Sequence, residues 1–424
     1  MRILWVKVGG LWPPDRGGRL RSCHLISELS RRHQVTVATT HGPDESPEGL
    51  WDGLRGCEHV LSFPHRLAKQ GTARFAAALC RSWLGRMPVD LWKGRVPALA
   101  REVRRRVEAR EVDLCVADFL VTAANIPLMG PVPVVLFEHN VEHLIWRRLS
   151  LVERRAWRRA LLELEWRKMR SWEARACASA ALTVVVSEPD RALLAELAPS
   201  ARLRAIPTGV DTGYFSPNGK PEAFGRLVFT GSMDWYPNED AILYFIETVL
   251  PAIRREVPGV SLTVVGHHPT ARLRAAASRR EVLLTGTVDD VRPFVAEAAV
   301  YVVPLRIGGG TRLKIFEALA MAKAVVSTSV GAEGLPLIDG EHFLRADEPA
   351  DFARAVVKLL KQPDSRRRLG LAGRRLVQAR YSWAEVARRF ESHLAEAGLK
   401  PGAVSLDQRS TTAPEAVGAG SKEE

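Results

Sequence analysis

The chain has 424 residues, 46% hydrophobic and 26% charged, with 61 Lys and Arg against 48 Asp and Glu for a formal charge of +13. That length fits about two domains, and the composition excludes a mostly disordered chain, a collagen-like fibre and a disulfide-stapled miniprotein. The basic excess points to an anionic partner such as nucleic acid, anionic lipid or phosphorylated small molecules.

The excess is uneven. Residues 1–210 carry 33 Lys and Arg against 22 Asp and Glu, whereas residues 211–424 carry 28 against 26. The five cysteines (Cys23, Cys57, Cys80, Cys115, Cys177) lie far apart without a Cys-x-x-Cys pair. This argues against a disulfide framework or a structural zinc site and fits a reducing cytosol. The first apolar run is broken by Lys7 and then by glycines, too early for a signal-peptide core. The uncharged apolar stretch Cys177 to Val186 falls well short of the roughly 20 residues of a membrane span. The expected location is cytoplasmic, at most peripheral on an inner membrane face.

In chain order, the first half predicts strands at Ile3–Val8, Gln34–Thr39, Val112–Ala117, Val132–Phe137 and Leu182–Val186. The second half predicts Leu227–Thr230, Ser261–Val265, Val282–Leu284, Val300–Val303 and Ala324–Ser327. Short, continuously apolar, β-branched strands separated by longer helical patterns indicate parallel sheets covered on both faces. The chain therefore reads as two doubly wound α/β units in tandem. The Pro- and Gly-rich stretch Ile206–Pro221 reads as the linker between them, and the aperiodic polar tail from Gly398 as disordered.

Two basic segments stand out in the first half. Residues 63–106 hold 11 Lys and Arg with Trp83 and Trp92, and residues 146–175 hold 10 with Trp146, Trp157, Trp166 and Trp172. Both read as helices. Arg and Trp mixed on a helix suit an anionic lipid surface, while a solvated helix with inward tryptophans is the other reading.

Four constellations can carry chemistry. Pro13–Arg19 follows the first strand, and its Gly17-Gly18 opens a helix whose free N–H groups suit an anion, though alone this is a weak phosphate-loop signal and a tight strand-to-helix turn is the favoured explanation. The cluster Glu138-His139-Asn140-Val141-Glu142-His143 follows the strand ending at Phe137, at the edge where open α/β sheets bind ligands. Its alternative is a helix start capped by Asn140 or Glu138. The third is Pro304 to Ala320, where a strand runs into Gly308-Gly309-Gly310-Thr311-Arg312-Leu313-Lys314 and then a helix bearing Glu317. Glycine amides converging with Arg312 and Lys314 suit a diphosphate, and a nearby carboxylate accepts hydrogen bonds from a ribose diol; a glycine-rich loop with a solvated basic edge is the less favoured alternative. The fourth is softer: the turn Thr230-Gly231 to Asn238, and the turn Thr285–Asp290 with Val288, which can offer backbone contacts to a base; a purely structural turn is the other reading of either.

Order and spacing of these motifs resemble the GT-B sugar-nucleotide glycosyltransferases, specifically retaining family four, the group 1 sugar transferases. The resemblance runs from residue 1 to about 395. It rests on Pro304–Val326, on Ile206-Pro207-Thr208-Gly209-Val210-Asp211 with Phe215 and Pro217, on the Glu138–Glu142 cluster and on Gly17-Gly18. It implies an α/β GT-B fold of two facing Rossmann-like, doubly wound parallel-sheet domains with a cleft between them. An acceptor-binding domain would occupy 1–208 and a nucleotide-sugar domain 209–397. Tyr381-Ser382-Trp383 and the helix after it look like the family's crossover element, and 398–424 forms the tail.

The resemblance also implies roles. Glu317 matches the second glutamate of a Glu-x7-Glu pattern that holds the donor ribose, while Gly309 stands where the first would be. Met233–Asn238 lacks the family's usual Arg and Lys, and Thr208 replaces an Asn. Arg312, Lys314 and the Gly308–Gly310 amides would hold the diphosphate, with Gly17-Gly18 closing from the first domain and His139 touching the sugar or orienting the acceptor. The implied activity is metal-independent hexosyl transfer, with retention, from a UDP- or GDP-sugar to a lipid-linked or glycan acceptor in cell-surface polysaccharide or glycoconjugate synthesis. No bound cofactor is implied and no nucleic-acid partner is expected; an anionic membrane surface is. A sugar-nucleotide epimerase, an inactive partner protein of this fold and a basic nucleic-acid-binding module stay open as alternatives.

Overall fold

A computed structural model describes residues 1–399 apart from 15–16, 44, 46, 67, 69–71, 220 and 308–312. The tail expected from Gly398 onward lies outside the described residues beyond Leu399. The chain divides into two compact units, Met1–Pro207 with Val386 onward, and Thr208–Glu385.

Among its described residues the first unit contains seven strands: β1 (Arg2–Lys7), β2 (Gln34–His41), β3 (His59–Pro64), β4 (Leu114–Asp118), β5 (Val134–Phe137), β6 (Leu182–Val185) and β7 (Leu203–Ala205). They form one parallel sheet in the order β3-β2-β1-β4-β5-β6-β7. Strands β4, β5 and β6 are buried at every residue, as continuous apolar runs in a two-sided parallel sheet must be. The helix Pro97–Glu108 shows how the faces are covered. Leu99, Val103 and Val107 repeat every fourth residue and bury one stripe against the sheet core. Pro97 starts this helix at little cost, because the first-turn N–H it lacks has no partner inside a helix.

The second unit contains β8 (Ala223–Thr230), β9 (Ser261–Val265), β10 (Leu283–Leu284), β11 (Ala298–Val303), β12 (Ala324–Ser327) and β13 (Leu344–Arg345). Its parallel sheet runs β10-β9-β8-β11-β12-β13. The ten strands expected from the sequence are present, with ends shifted by a few residues. Three more, β3, β7 and β13, escaped the apolar-run criterion. All three are sheet edges. β3 has no fully buried residue, β7 has three residues and β13 two.

The basic segments are helical only in part. Residues 63–64 end β3, and the helices that follow are Ala73–Leu84, Val89–Lys93 and Pro97–Glu108, the last an ordinary crossover. Residues 146–175 span the end of the helix Glu142–Val152 and most of the helix Ala156–Ser179. Their tryptophans split between the two readings: Trp146 and Trp172 pack on the core, while Trp157 is 62% exposed. Among the described residues no helix is long and apolar enough to cross a membrane. All five cysteines are free.

The segment after Ile206 is a loop held to the end of its own unit. Val210 N donates to Tyr381 O at 2.8 Å, and a Cβ on Gly209 would stand 2.6 Å from the Trp383 ring. The last helix, Trp383–Glu396, belongs to the first unit from Val386 onward. There Phe390 lies 6.2 Å from the Trp5 ring and 6.3 Å from Phe137, and Glu391 accepts from Arg32 Nε and His33 Nε2, each at 2.8 Å.

Candidate functional site

Both sheets reverse their strand order at one place, between β1 and β4 in the first unit and between β8 and β11 in the second. Ligands of open α/β sheets bind outside the carboxyl ends of the strands at such switch points. Each unit has a cluster of polar side chains there.

In the first unit, Lys7 ends β1 and Asp118 ends β4, opposite each other in register. Lys7 Nζ donates to Asp118 Oδ1 at 3.0 Å and to Ser22 Oγ at 3.0 Å. Trp5 Nε1 donates to Asp118 Oδ2 at 2.9 Å. Both charged groups are buried. Burial pushes the Asp118 carboxyl up, but Lys7 and His139 outweigh it and hold the group well below the usual carboxylate range. Burial pulls the Lys7 ammonium down against the attraction of Asp118.

His139, two residues past β5, completes this network. Its Nε2 lies 2.7 Å from Asp118 Oδ1, and its Nδ1 lies 3.1 Å from Arg21 Nη1. A guanidinium only donates, so Nδ1 is the acceptor and the ring proton sits on Nε2, donated to Asp118. Burial lowers its pKa to about 4 despite Asp118, so the ring is neutral at neutral pH. Phe119 stacks on it with centroids 3.9 Å apart and planes at 8°. Gly18 lies against this stack: a Cβ there would stand 2.8 Å from Phe119 Cζ and 3.9 Å from His139 Nδ1. Gly17 and Gly18 open the helix Gly17–Ser30. The structure thus brings Gly18 and His139 together and gives Gly18 a packing reason. Both nitrogens of His139 are engaged within the protein.

The remaining acids of the 138–143 cluster surround Glu173. Its carboxylate accepts from Glu142 N at 2.8 Å, His143 N at 3.1 Å and His143 Nδ1 at 2.6 Å. Glu173 therefore satisfies the free N–H groups that open the helix Glu142–Val152. Capping by Asn140 or Glu138 is not what occurs: Val141 occupies the cap position and its side chain makes no cap bond. Burial, with Glu173 adding repulsion, raises Glu138 well above its usual range and Glu142 to about 7.

In the second unit, the chain leaves β8 at Gly231, where a Cβ would stand 2.7 Å from both Asn238 Nδ2 and Lys314 Nζ. Lys314 Nζ donates to Asn238 Oδ1 at 2.8 Å and lies 4.1 Å from the Phe229 ring centroid. Asn238 Nδ2 in turn donates to Ser232 O at 2.8 Å. One turn of helix beyond Lys314, Glu317 is half-buried. Burial raises its carboxyl to about 7 and Lys314 opposes the rise. Gly231, Lys314 and Glu317, far apart in sequence, are thereby gathered at one strand edge.

Residues 17–214 match the family model of Glycosyltransferase Family 4, and residues 225–362 match that of Glycosyl transferases group 1. The chain belongs to the group 1 glycosyltransferases.

Among relatives of this group 1 glycosyltransferase, a phosphatidyl-myo-inositol mannosyltransferase of Mycobacterium tuberculosis is 32% identical over 196 residues, 43% of this chain and 51% of the relative. The chain thus spans about half the length of that relative. A GDP-mannose-dependent alpha-(1-6)-phosphatidylinositol monomannoside mannosyltransferase of Mycolicibacterium smegmatis is 26% identical over 404 residues, 88% of this chain and 93% of the relative. Among solved structures, Anabaena HepE in complex with UDP superimposes with a TM-score of 0.64 at 14% identity, over 93% of this chain and all of the other. Sucrose-phosphate synthase from Thermosynechococcus elongatus gives 0.62 at 17% identity, over 93% and 98% of the two chains. These likenesses, with the two parallel α/β units, make the fold GT-B.

The other residues singled out in the sequence fall as follows. Val288 is half-buried and packs on the core cluster that includes Val303, Ile315 and Phe316. Gly308, Gly309, Gly310, Thr311 and Arg312 lie outside the described residues. Sequence reasoning missed Lys7, Arg21 and Asp118. The signal for two of them was present: Lys7 is a lone charge closing an apolar strand, and Asp118 comes directly after the run that ends at Ala117.

Proposed function

We propose that this group 1 glycosyltransferase moves a hexosyl unit from a UDP- or GDP-sugar to a lipid-linked or glycan acceptor, with retention of anomeric configuration, in cell-surface polysaccharide or glycoconjugate synthesis. The observation that carries this reading is the meeting of Gly231, Lys314 and Glu317 at the second unit's switch point. Among the described residues, Glu317 accepts no side-chain hydrogen bond from the protein, so its carboxylate is available to a vicinal diol. The names of the two mycobacterial relatives support a lipid acceptor, and the UDP in the HepE structure supports a nucleotide donor.

In the reaction, the bond from the anomeric carbon to the diphosphate oxygen breaks and a bond to the acceptor oxygen forms. The acceptor's proton passes to the departing diphosphate. Charge develops on that leaving group, so the stabilising groups must be aimed there in advance. Lys314, beside Gly231, takes that role, the glycine-rich motif Gly308–Arg312 is read from the sequence as its complement, and the step asks for no metal. His139 acts by position: neutral and hydrogen-bonded at both nitrogens, it sets the shape of the first unit's site with Gly18.

The surface of the helices Glu142–Val152 and Ala156–Ser179 supports a peripheral place on an anionic membrane. Leu149, Val152 and Trp157 are 46%, 75% and 62% exposed among arginines, and the Arg158 guanidinium lies 5.2 Å from the Trp157 ring. Apolar side chains rimmed by cations suit a headgroup layer. Binding to vesicles with an anionic lipid, falling with salt and weakened by Trp157→Ala, checks this part.

The test of the whole reading is a thermal-shift panel of UDP, GDP, their monophosphates and their sugar conjugates. One base's diphosphate and its sugar conjugate should raise the Tm, by the equivalent of about 2.7 kcal/mol at 100 times Kd. No shift with any of them overturns the donor assignment.

A further inference from the structure

The transfer step leaves one cluster at the carboxyl ends of β8 and β9 unused. Gly231 N donates to Val265 O at 2.9 Å and Met233 N to His267 O at 3.0 Å, which joins the turn after β8 to the turn after β9. Gly266 permits the approach, since a Cβ there would stand 1.8 Å from Gly231 O. The joined turns bring Asp234, His267 and His268 together, with a carboxylate oxygen and two imidazole nitrogens within 4.8 Å of one another.

Ser232 links two of these groups. Ser232 Oγ gives its proton to the Asp234 carboxylate and lies 2.8 Å from His267 Nδ1. Having spent its proton, the hydroxyl accepts from His267 Nδ1–H. The lone pair of the neutral ring is then on Nε2. A neighbour that fixes the tautomer by taking the other ring proton is the usual support of a metal-bound histidine. His268 is held at a φ of +55°, a region that non-glycine residues seldom occupy and that tends to persist where function requires it. All three residues are exposed, so an ion can enter without opening the fold.

We propose that Asp234, His267 and His268 form a site for one divalent transition-metal ion of intermediate hardness, such as Zn2+ or Co2+. Two imidazoles and one carboxylate match that class, whereas Mg2+ and Ca2+ favour all-oxygen sets. Three protein ligands leave a position for water or another oxygen. The bound ion clamps the two turns that border Gly231 and Lys314. No step of the proposed transfer passes through it, and the site stands or falls without that reaction.

The full chain, free of any affinity tag and stripped with a chelator, is titrated with Co2+ by visible absorption and with Zn2+ by calorimetry and thermal shift. One equivalent should bind with a Kd roughly micromolar or tighter, with ligand-field bands for Co2+ and a raised Tm. Mg2+ should do neither. Asp234→Asn, His267→Gln and His268→Gln should each weaken binding by at least about tenfold, and the double histidine variant should abolish it while keeping the wild-type metal-free Tm. Absence of saturable binding, or equal binding by the double histidine variant, overturns the proposal. Neither result involves a sugar nucleotide, so the transfer reading is judged separately.

Discussion

The two switch points share a strand order and differ in how they hold charge. In the first unit, Lys7, Asp118, His139 and Arg21 are buried and bonded to one another. In the second, Lys314 and Glu317 are half-buried, and Asp234 and His267 are exposed. Buried charges lose their hydration and are tolerated only when partners replace it. The first site is therefore a closed structure, in which each group holds its neighbour in place. The second holds its charged groups only partly buried, within reach of a ligand. Substitutions should be read first as stability in the one and as affinity in the other.

The largest effect tests the closed site. Asp118→Ala leaves the Lys7 ammonium, Trp5 Nε1 and His139 Nε2 without their acceptor. Stability to urea should fall by about 3–5 kcal/mol, the cost of stranding a buried charge. The pair Lys7→Met with Asp118→Leu should lose much less than the sum of the two single changes. A loss under about 1 kcal/mol for Asp118→Ala would show that the network behaves like a surface pair and would break the comparison.

The open site should answer differently. Lys314→Ala should weaken binding of the active nucleotide-sugar by roughly 10- to 100-fold, the worth of a charge-assisted hydrogen bond, while the Tm stays within a few degrees. Calorimetry and a melting curve on the same sample check both halves. A collapse of the Tm with unchanged affinity would place Lys314 in the class of Lys7.

The smallest effect is a pH dependence. Glu317 titrates near 7 because burial disfavours its anion. If the anion holds the ribose, affinity for a nucleotide-sugar should rise between pH 6 and 8 by a factor of up to roughly ten, following ionisation from about one-tenth to nine-tenths. Glu317→Gln should bind more weakly and show no such slope. The stability of the unliganded protein carries the opposite sign. A carboxyl whose pKa rises on folding binds its proton more readily in the native state, so its contribution declines as pH climbs from about 4.5 to about 7. Affinity that is flat in pH for the wild type would remove Glu317 from the donor grip.

The central strands were legible because burial on both faces leaves an uninterrupted apolar run, as in Val134–Phe137 and Ala324–Ser327. β3 was not, because an edge strand with half-exposed residues has no such run. Gly231, Lys314 and Glu317 were legible through motif spacing and the resemblance it carried. Ser232, Asp234, His267 and His268 were not read as one site, since two separate turns supply them and only the strand pairing of β8 with β9 joins them. His139 was chosen for its place after a strand, but its tautomer follows from Arg21 and Asp118, which lie 118 and 21 residues away.

Composition, periodicity and the order of local motifs by themselves determined the class of this protein: two parallel α/β units, a basic first half and a glycine-rich motif in the sequence after the fourth strand of the second. These are local properties, set by residues within one element of each other. Tertiary structure alone decided which charges are spent on one another and which stay available. Lys7 and Asp118 are 111 residues apart and become a buried pair only when β1 and β4 lie side by side. The uneven charge of the sequence therefore marks where cations are plentiful, and the strand order decides which of them a ligand can reach.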